Sequence, residues 1–163
     1  MKINSLLVFT ACLAALCVGC QSRLAEQSWS KDMETMLVQQ QLEKIMRSQR
    51  LSGSAPHVMA IGEIKNDTTL VSNDNIEFMK ATIASELTNS GLVMISTDVG
   101  GAAKRDGKVL APSLVLHGKL IQRDFRKEDG RLQREFTLEL SIVDLASGTQ
   151  IWNGKSMVCI NIG

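Results

Sequence analysis

Leu132-Gln133-Arg134-Glu135-Phe136-Thr137-Leu138-Glu139-Leu140-Ser141-Ile142-Val143-Asp144-Leu145 is the stretch whose reading decides the fold. Phe136, Leu138, Leu140 and Ile142 alternate with Glu135, Thr137, Glu139 and Ser141, which predicts a strand with one packed face and one polar face. Upstream, Glu128-Asp129-Gly130 puts Asp-Gly between two alternating runs, a strong hairpin signal that pairs this strand with one from Ser113 to about Arg126. Downstream, Ala146-Ser147-Gly148 turns the chain into a third strand from Thr149 to about Val158. The C-terminal third is therefore an antiparallel meander.

The preceding residues change character. Val58-Met59-Ala60-Ile61-Gly62-Glu63-Ile64 reads as a mostly buried strand ending at Lys65-Asn66-Asp67-Thr68-Thr69. A helix follows, with Asp74 as its cap, a stripe of Ile76, Met79, Ile83 and Leu87, and Asn89-Ser90-Gly91 as a left-handed close. Leu92 to Ser96 makes a second short strand, and strand, helix and strand together predict a parallel pair. Gly100 to Gly107 reads as a mobile loop; its Gly-Gly is not followed by a phosphate-binding pattern. Before the loop Ser52 to Pro56, a helix is expected from Lys31 to about Ser48, with Ser30 as N-cap and acidic Asp32 and Glu34 against basic Lys44 and Arg47. Val38, Leu42, Ile45 and Met46 supply its core stripe. Met33, Met36 and Leu37 point elsewhere, either into the core at the start of the helix or into a contact patch, with core the favoured reading. The predicted fold class is α/β (α+β): a mixed sheet of about five strands with two helices.

At the N-terminus Lys2, an apolar run from Leu6 to Val18, and Gly19 before Cys20 give the parts of an export signal in order. The run is shorter than the roughly 20 residues that span a bilayer core. Residues 1–19 are thus expected to be a lipoprotein signal peptide, and Cys20 the lipidation site. Cys17 follows bulky Leu16 and Cys12 leaves too short an apolar core, so both are poorer acceptors. Residues 20–30 form the lipid anchor and a short tether, reaching no more than ~35 Å when extended. Gln21 in place of Asp points to the outer membrane, facing the periplasm. Residues 31–163 form a single globular domain.

Lys and Arg number 18 against 17 Asp and Glu, a neutrality that argues against nucleic acid as a partner. Of four cysteines, two leave with the signal and one is lipidated, so Cys159 remains without an internal disulfide partner. It reads as a buried strand residue or, alternatively, an intermolecular thiol. His57 and His117 lack Cys or carboxylate partners at ligand spacing. No Gly-x-Ser-x-Gly elbow and no complete penicillin-recognising motif set is present. The expectation is no enzyme, no catalytic residues, no metal, no cofactor and no small-molecule substrate.

The densest charge lies around the first hairpin, where Arg123, Arg126, Lys127, Arg131 and Arg134 outnumber Asp124, Glu128, Asp129 and Glu135. One reading is a solvated hairpin whose cross-strand charges neutralise each other and guard a sheet edge. The other is a basic docking surface for a protein partner or an anionic polymer.

Three strings carry a resemblance. Pro56 to Thr68, with its strand and Asn-x-Thr turn, Leu87-Thr88-Asn89-Ser90-Gly91, and Leu138 to Lys155, ending Ile151-Trp152-Asn153-Gly154-Lys155, resemble the LpoB family of outer-membrane lipoprotein activators of penicillin-binding proteins. The Ser28-Trp29-Ser30 lead into the first helix is similar as well. The resemblance covers residues 28 to 155 and implies a domain like the amino-terminal domain of TolB. It also implies a non-enzymatic regulator that binds and activates a bifunctional, class A penicillin-binding protein in peptidoglycan synthesis. The alternative is an accessory or structural lipoprotein of an envelope secretion or transport assembly.

Three features depart from the family. Asp98 to Pro112 leaves room for at most a turn where many relatives have another helix. The tether is short where characterised relatives have a long disordered one. The tail Ser156 to Gly163 is more apolar than the usual basic ending, as a truncated or frame-shifted gene end would leave it.

Overall fold

Five strands join in the order β2-β1-β5-β6-β7. They are β1 (His57–Asp67), β2 (Val93–Ser96), β5 (Leu114–Arg126), β6 (Leu132–Asp144) and β7 (Gln150–Asn161). β1 pairs in parallel with both β2 and β5, while β5, β6 and β7 form the antiparallel meander read from the alternating stretch. The computed structural model describes residues 29–51, 57–96, 103–105 and 108–162. The expected signal peptide, Cys20, the expected tether as far as Ser28 and the expected loop Ser52 to Pro56 lie outside these residues.

Helices α1 (Lys31–Met46) and α2 (Asn73–Asn89) cover one face of the sheet. α1 lies over β6 and β7, α2 over β1 and β2, and the helices touch each other. Phe136, Leu138, Leu140 and Ile142 project from β6 into the core, fully buried with Leu37, Leu42, Ile45, Met79, Ile83 and Leu87 from the helices. Apolar burial of this kind is the main source of stability, on the order of 1.5–3 kcal/mol per large side chain.

The turns follow their residue types. Gly130 and Gly148 have φ of 84° and 67° in the two meander turns, and Gly91 has 71° after α2, a conformation glycine adopts without steric cost. The link from β1 to α2 holds itself together: Asn66 Oδ1 accepts from Thr68 N and Oγ1, and Asn66 Nδ2 donates to the Val71 carbonyl.

Ser30 caps α1 as expected, its hydroxyl accepting from Met33 N. α2 starts differently. Its N-cap is Ser72, not Asp74, and Ser72 and Asn75 bond each other's backbone in a capping box. Asp74 sits in the first turn, where its charge still complements the helix dipole.

The core stripe of α1 also differs from expectation. Met33, Leu37, Val38, Leu42 and Ile45 are buried, with Met33 and Leu37 reaching the core as favoured, whereas Met36 and Met46 are exposed. Glu34 and Gln41 complete the buried face, and these polar residues conceal the stripe in the sequence. Where Gly100 to Gly107 reads as a loop, β3 (Ala103–Arg105) pairs antiparallel with β4 (Lys108–Leu110). The Asp-Gly between them is itself a hairpin signal. Cys159 is exposed rather than buried, because register sets it opposite Glu135 on the outer face of the sheet. Finally, β5 and β6 are interior strands, but β1 pairs with β5 only as far as Ile121, so the charged arm from Gln122 to Arg126 projects past β1 as a local sheet edge.

Candidate functional site

The β5–β6 hairpin carries the five basic residues singled out in the sequence, and the strand pleat divides them. Arg123 pairs in register with Glu135, Asp124 with Arg134, and Arg126 with Leu132, so Arg123 lies on the outer face and Arg126 and Arg134 on the helix side. Lys127 and Arg131 occupy the turn. The Arg134 guanidinium forks onto Asp124 at 2.7 and 2.6 Å, and Arg131 grips Asp129 at 2.8 and 2.6 Å. Arg126 donates to the Gly130 carbonyl at 2.6 Å, fastening the turn. Hydrogen bonding from Arg134 holds the Asp124 carboxyl below the usual range, and Arg131 does the same for Asp129.

Neutralisation and a basic surface therefore coexist. Two of the five charges are matched by neighbouring carboxylates, while Arg126 keeps its charge on a neutral acceptor. Phe125 and Leu132, both large and exposed, flank the turn. The tip can present cationic and apolar groups together, a combination suited to a protein surface.

The outer face of the sheet adds a feature that sequence alone did not yield. Lys65, Lys119, Glu139 and Lys155 align as direct partners across β1, β5, β6 and β7. Asp67 ties the first two, accepting from Lys119 at 2.8 Å and Lys65 at 3.2 Å, and both bonds lower its pKa. Beside this row is a cleft of about 530 Å³ that includes His117, Ser141 and Asn153. Gly62 makes room there, since a Cβ would stand 2.6 Å from His117 Nδ1. The alternation of charged residues hints at such a row; its alignment depends on register, including an irregularity in β1 between Ile61 and Ile64.

On the helix side, α1 is fixed to the last strands by polar contacts. Gln41 Nε2 donates to the Leu138 carbonyl at 2.7 Å, Ser156 Oγ donates to the Leu37 carbonyl at 2.9 Å, and Lys44 donates to the Lys155 carbonyl. Gly154 permits this approach: a Cβ there would lie 2.5 Å from both Gln41 Oε1 and the Trp152 ring. Trp29, just before α1, packs edge-on against Phe136 with ring centroids 5.0 Å apart. Among the described residues no group of three or more His, Cys, Asp or Glu side chains could hold a metal, and no helix is long and apolar enough to cross a membrane.

Residues 100–158, spanning the small β3–β4 hairpin and nearly all of the meander, match the model of the family described as peptidoglycan-synthase activator LpoB. The resemblance read from the sequence is thereby borne out. A solved LpoB C-terminal domain from Escherichia coli superimposes with a TM-score of 0.53 at 17% identity, covering 78% of this chain and 98% of that one. The corresponding domain from Salmonella enterica gives a TM-score of 0.47 at 15% identity, covering 77% and 94%. Lipoprotein GNA1162 from Neisseria meningitidis gives 0.43 at 14%, covering 65% and 84%. A search of curated proteins by sequence finds no match. The five-stranded mixed sheet with two helices is the α+β fold of the LpoB C-terminal domain.

Proposed function

We propose that this chain is a lipid-anchored, non-enzymatic regulator that binds and activates a class A penicillin-binding protein from the periplasmic face of the outer membrane. The observation that carries the reading is the family match over residues 100–158, because that segment contains the β5–β6 hairpin and its basic residues. The contact assigned to the synthase is the hairpin tip, with Arg123, Arg126, Lys127, Arg131 and Arg134 around exposed Phe125 and Leu132. Cys20 is the lipid-bearing residue, and two or three acyl chains hold it stably where one would not. The tether to Ser30 spans at most ~35 Å. The synthase must therefore extend most of the way to the domain, or Cys20 is held in the inner membrane despite Gln21.

Capture of the full chain from detergent-solubilised envelopes tests this reading. Recovery of a class A penicillin-binding protein is expected, with recovery falling about tenfold for the double variant Arg126→Glu, Arg131→Glu, as charge reversal at a docking surface does. Recovery of a ring or channel component instead would favour a secretion or transport assembly.

A further inference from the structure

A second cleft lies on the helix side of the sheet, around the starts of the two helices and next to the base of the hairpin, where Trp29 packs on Phe136 and Thr69 bonds Gln122. Trp29 and Lys31 from the start of α1, and Leu70, Asp74, Asn75 and Phe78 from the start of α2, surround a cleft of about 560 Å³ that Glu34 also lines. That volume falls in the range of small-ligand and side-chain pockets. Two large apolar side chains stand open at it, Phe78 at 48% and Leu70 at 41% exposure.

The chemistry of the cleft is uneven. Glu34 is only 3% exposed. Its Oε2 accepts from Trp29 Nε1 at 3.3 Å, while its Oε1 is buried with no donor within hydrogen-bond distance, although the nearby Asn75 side chain favours the ionised carboxyl. A carboxylate at the start of a helix is accounted for by the dipole. A buried carboxylate oxygen with no donor is not, since such a group costs free energy until it is paired. Asp74 adds a second acidic group beside the single basic group of Lys31, so a further cation is electrostatically complementary to the cleft. Its wall already accepts cations: Lys31 Nζ sits 5.0 Å from the centre of the Phe78 ring, the geometry of a cation–π contact.

We infer that this cleft receives a basic side chain, best an arginine with an apolar neighbour, from a partner protein. The guanidinium would lie between Glu34 and the Phe78 ring in place of Lys31, and the neighbouring apolar group would cover Leu70. Arginine fits better than lysine because its planar fork bonds a carboxylate and stacks on a ring at once. The inference does not depend on the proposed synthase contact, which uses other residues.

The test is amide and indole NMR of the full chain in detergent micelles, titrated with acetyl-Leu-Arg-amide and its uncharged counterpart acetyl-Leu-citrulline-amide. The expected result is saturable shifts of the Trp29 indole N–H and of residues 73–79 with the arginine peptide, and binding at least about fivefold weaker for citrulline. Glu34→Gln should weaken the arginine peptide by about tenfold, in line with loss of a charge-assisted hydrogen bond. Lys31→Ala should tighten it by freeing the ring, an effect that a purely structural role of this cluster would not produce. Phe78→Ala and Asp74→Asn, both at the surface, should weaken binding and serve if Glu34→Gln fails to fold. Equal affinity for the two peptides, shifts that map elsewhere, or no shifts up to about 10 mM peptide would overturn the inference.

Discussion

Replacing Gly154 by alanine should destabilise the protein by about 2–4 kcal/mol, although alanine normally suits a strand better than glycine does. The added Cβ would stand 2.5 Å from Gln41 Oε1 and from the Trp152 ring. Gln41 is fully buried and its amide donates to the Leu138 carbonyl at 2.7 Å, so it cannot swing aside without breaking a buried bond. Overpacking costs about 1–3 kcal/mol, and an orphaned buried acceptor a further ~1–3. Against these, the lower chain entropy of alanine returns about 0.5–1 kcal/mol. The assay is urea unfolding of the wild type, Gly154→Ala, Gln41→Ala and the double variant. Because Gln41→Ala removes one of the two clashing groups and leaves the Trp152 ring, Gly154→Ala should cost at least 1 kcal/mol less in the Gln41→Ala background, a coupling well beyond the ~0.3–0.5 kcal/mol scatter of independent sites. A cost below ~0.5 kcal/mol, or additivity within that scatter, would refute the packing argument. It would also remove the physical reason for glycine in the Trp-x-Gly-Lys string.

Ser72→Ala should cost about 1 kcal/mol by removing the α2 cap, while Asp74→Ala should cost only a few tenths through the dipole; thermal unfolding of both variants checks the order. Glu34→Gln should change how stability depends on pH. Burial raises the Glu34 pKa above its ordinary value, against the opposing pull of the Trp29 hydrogen bond, the nearby Asn75 side chain and the Lys31 charge, so its ionisation opposes folding. That penalty is absent below the unfolded value and grows as pH rises to the folded one. Urea melts from acid to neutral pH should show Glu34→Gln gaining stability relative to wild type on the way up, then levelling off; a constant difference would count against the buried charge. Asp67 and Asp124 run the other way. Their Lys and Arg bonds lower the folded pKa, so the stability they add is complete above the unfolded value and fades as pH falls through the folded one. Acid titration followed by circular dichroism should show Asp124→Asn flattening part of that loss.

The meander was legible because Phe136 to Ile142 alternates strictly and Asp129-Gly130 and Ser147-Gly148 name their turns. The parallel pair was legible from a strand, a capped helix and a strand in succession. What stayed hidden depends on contacts distant in sequence. The α1 stripe was read only in part: Val38, Leu42 and Ile45 are buried and Met46 is not, and Glu34 and Gln41, polar by type, occupy core-facing positions, Gln41 bonded to a strand carbonyl nearly a hundred residues away. Cys159 could not be assigned a face because Met157, Val158, Cys159 and Ile160 are apolar at both parities, and only pairing with β6 resolves them. The five basic hairpin residues were found by composition, but their division between faces, and the pairing of Arg134 with Asp124, required the register. The lysine row and the Trp29 cleft likewise join residues from separate elements.

Activation of the synthase can be measured by assaying a purified class A penicillin-binding protein with and without the full chain in detergent, following glycan polymerisation and peptide crosslinking together. Both rates should rise when the chain is added, and the rise should shrink with Arg126→Glu, Arg131→Glu. Rates unchanged by a saturating excess of the folded chain would contradict that activation.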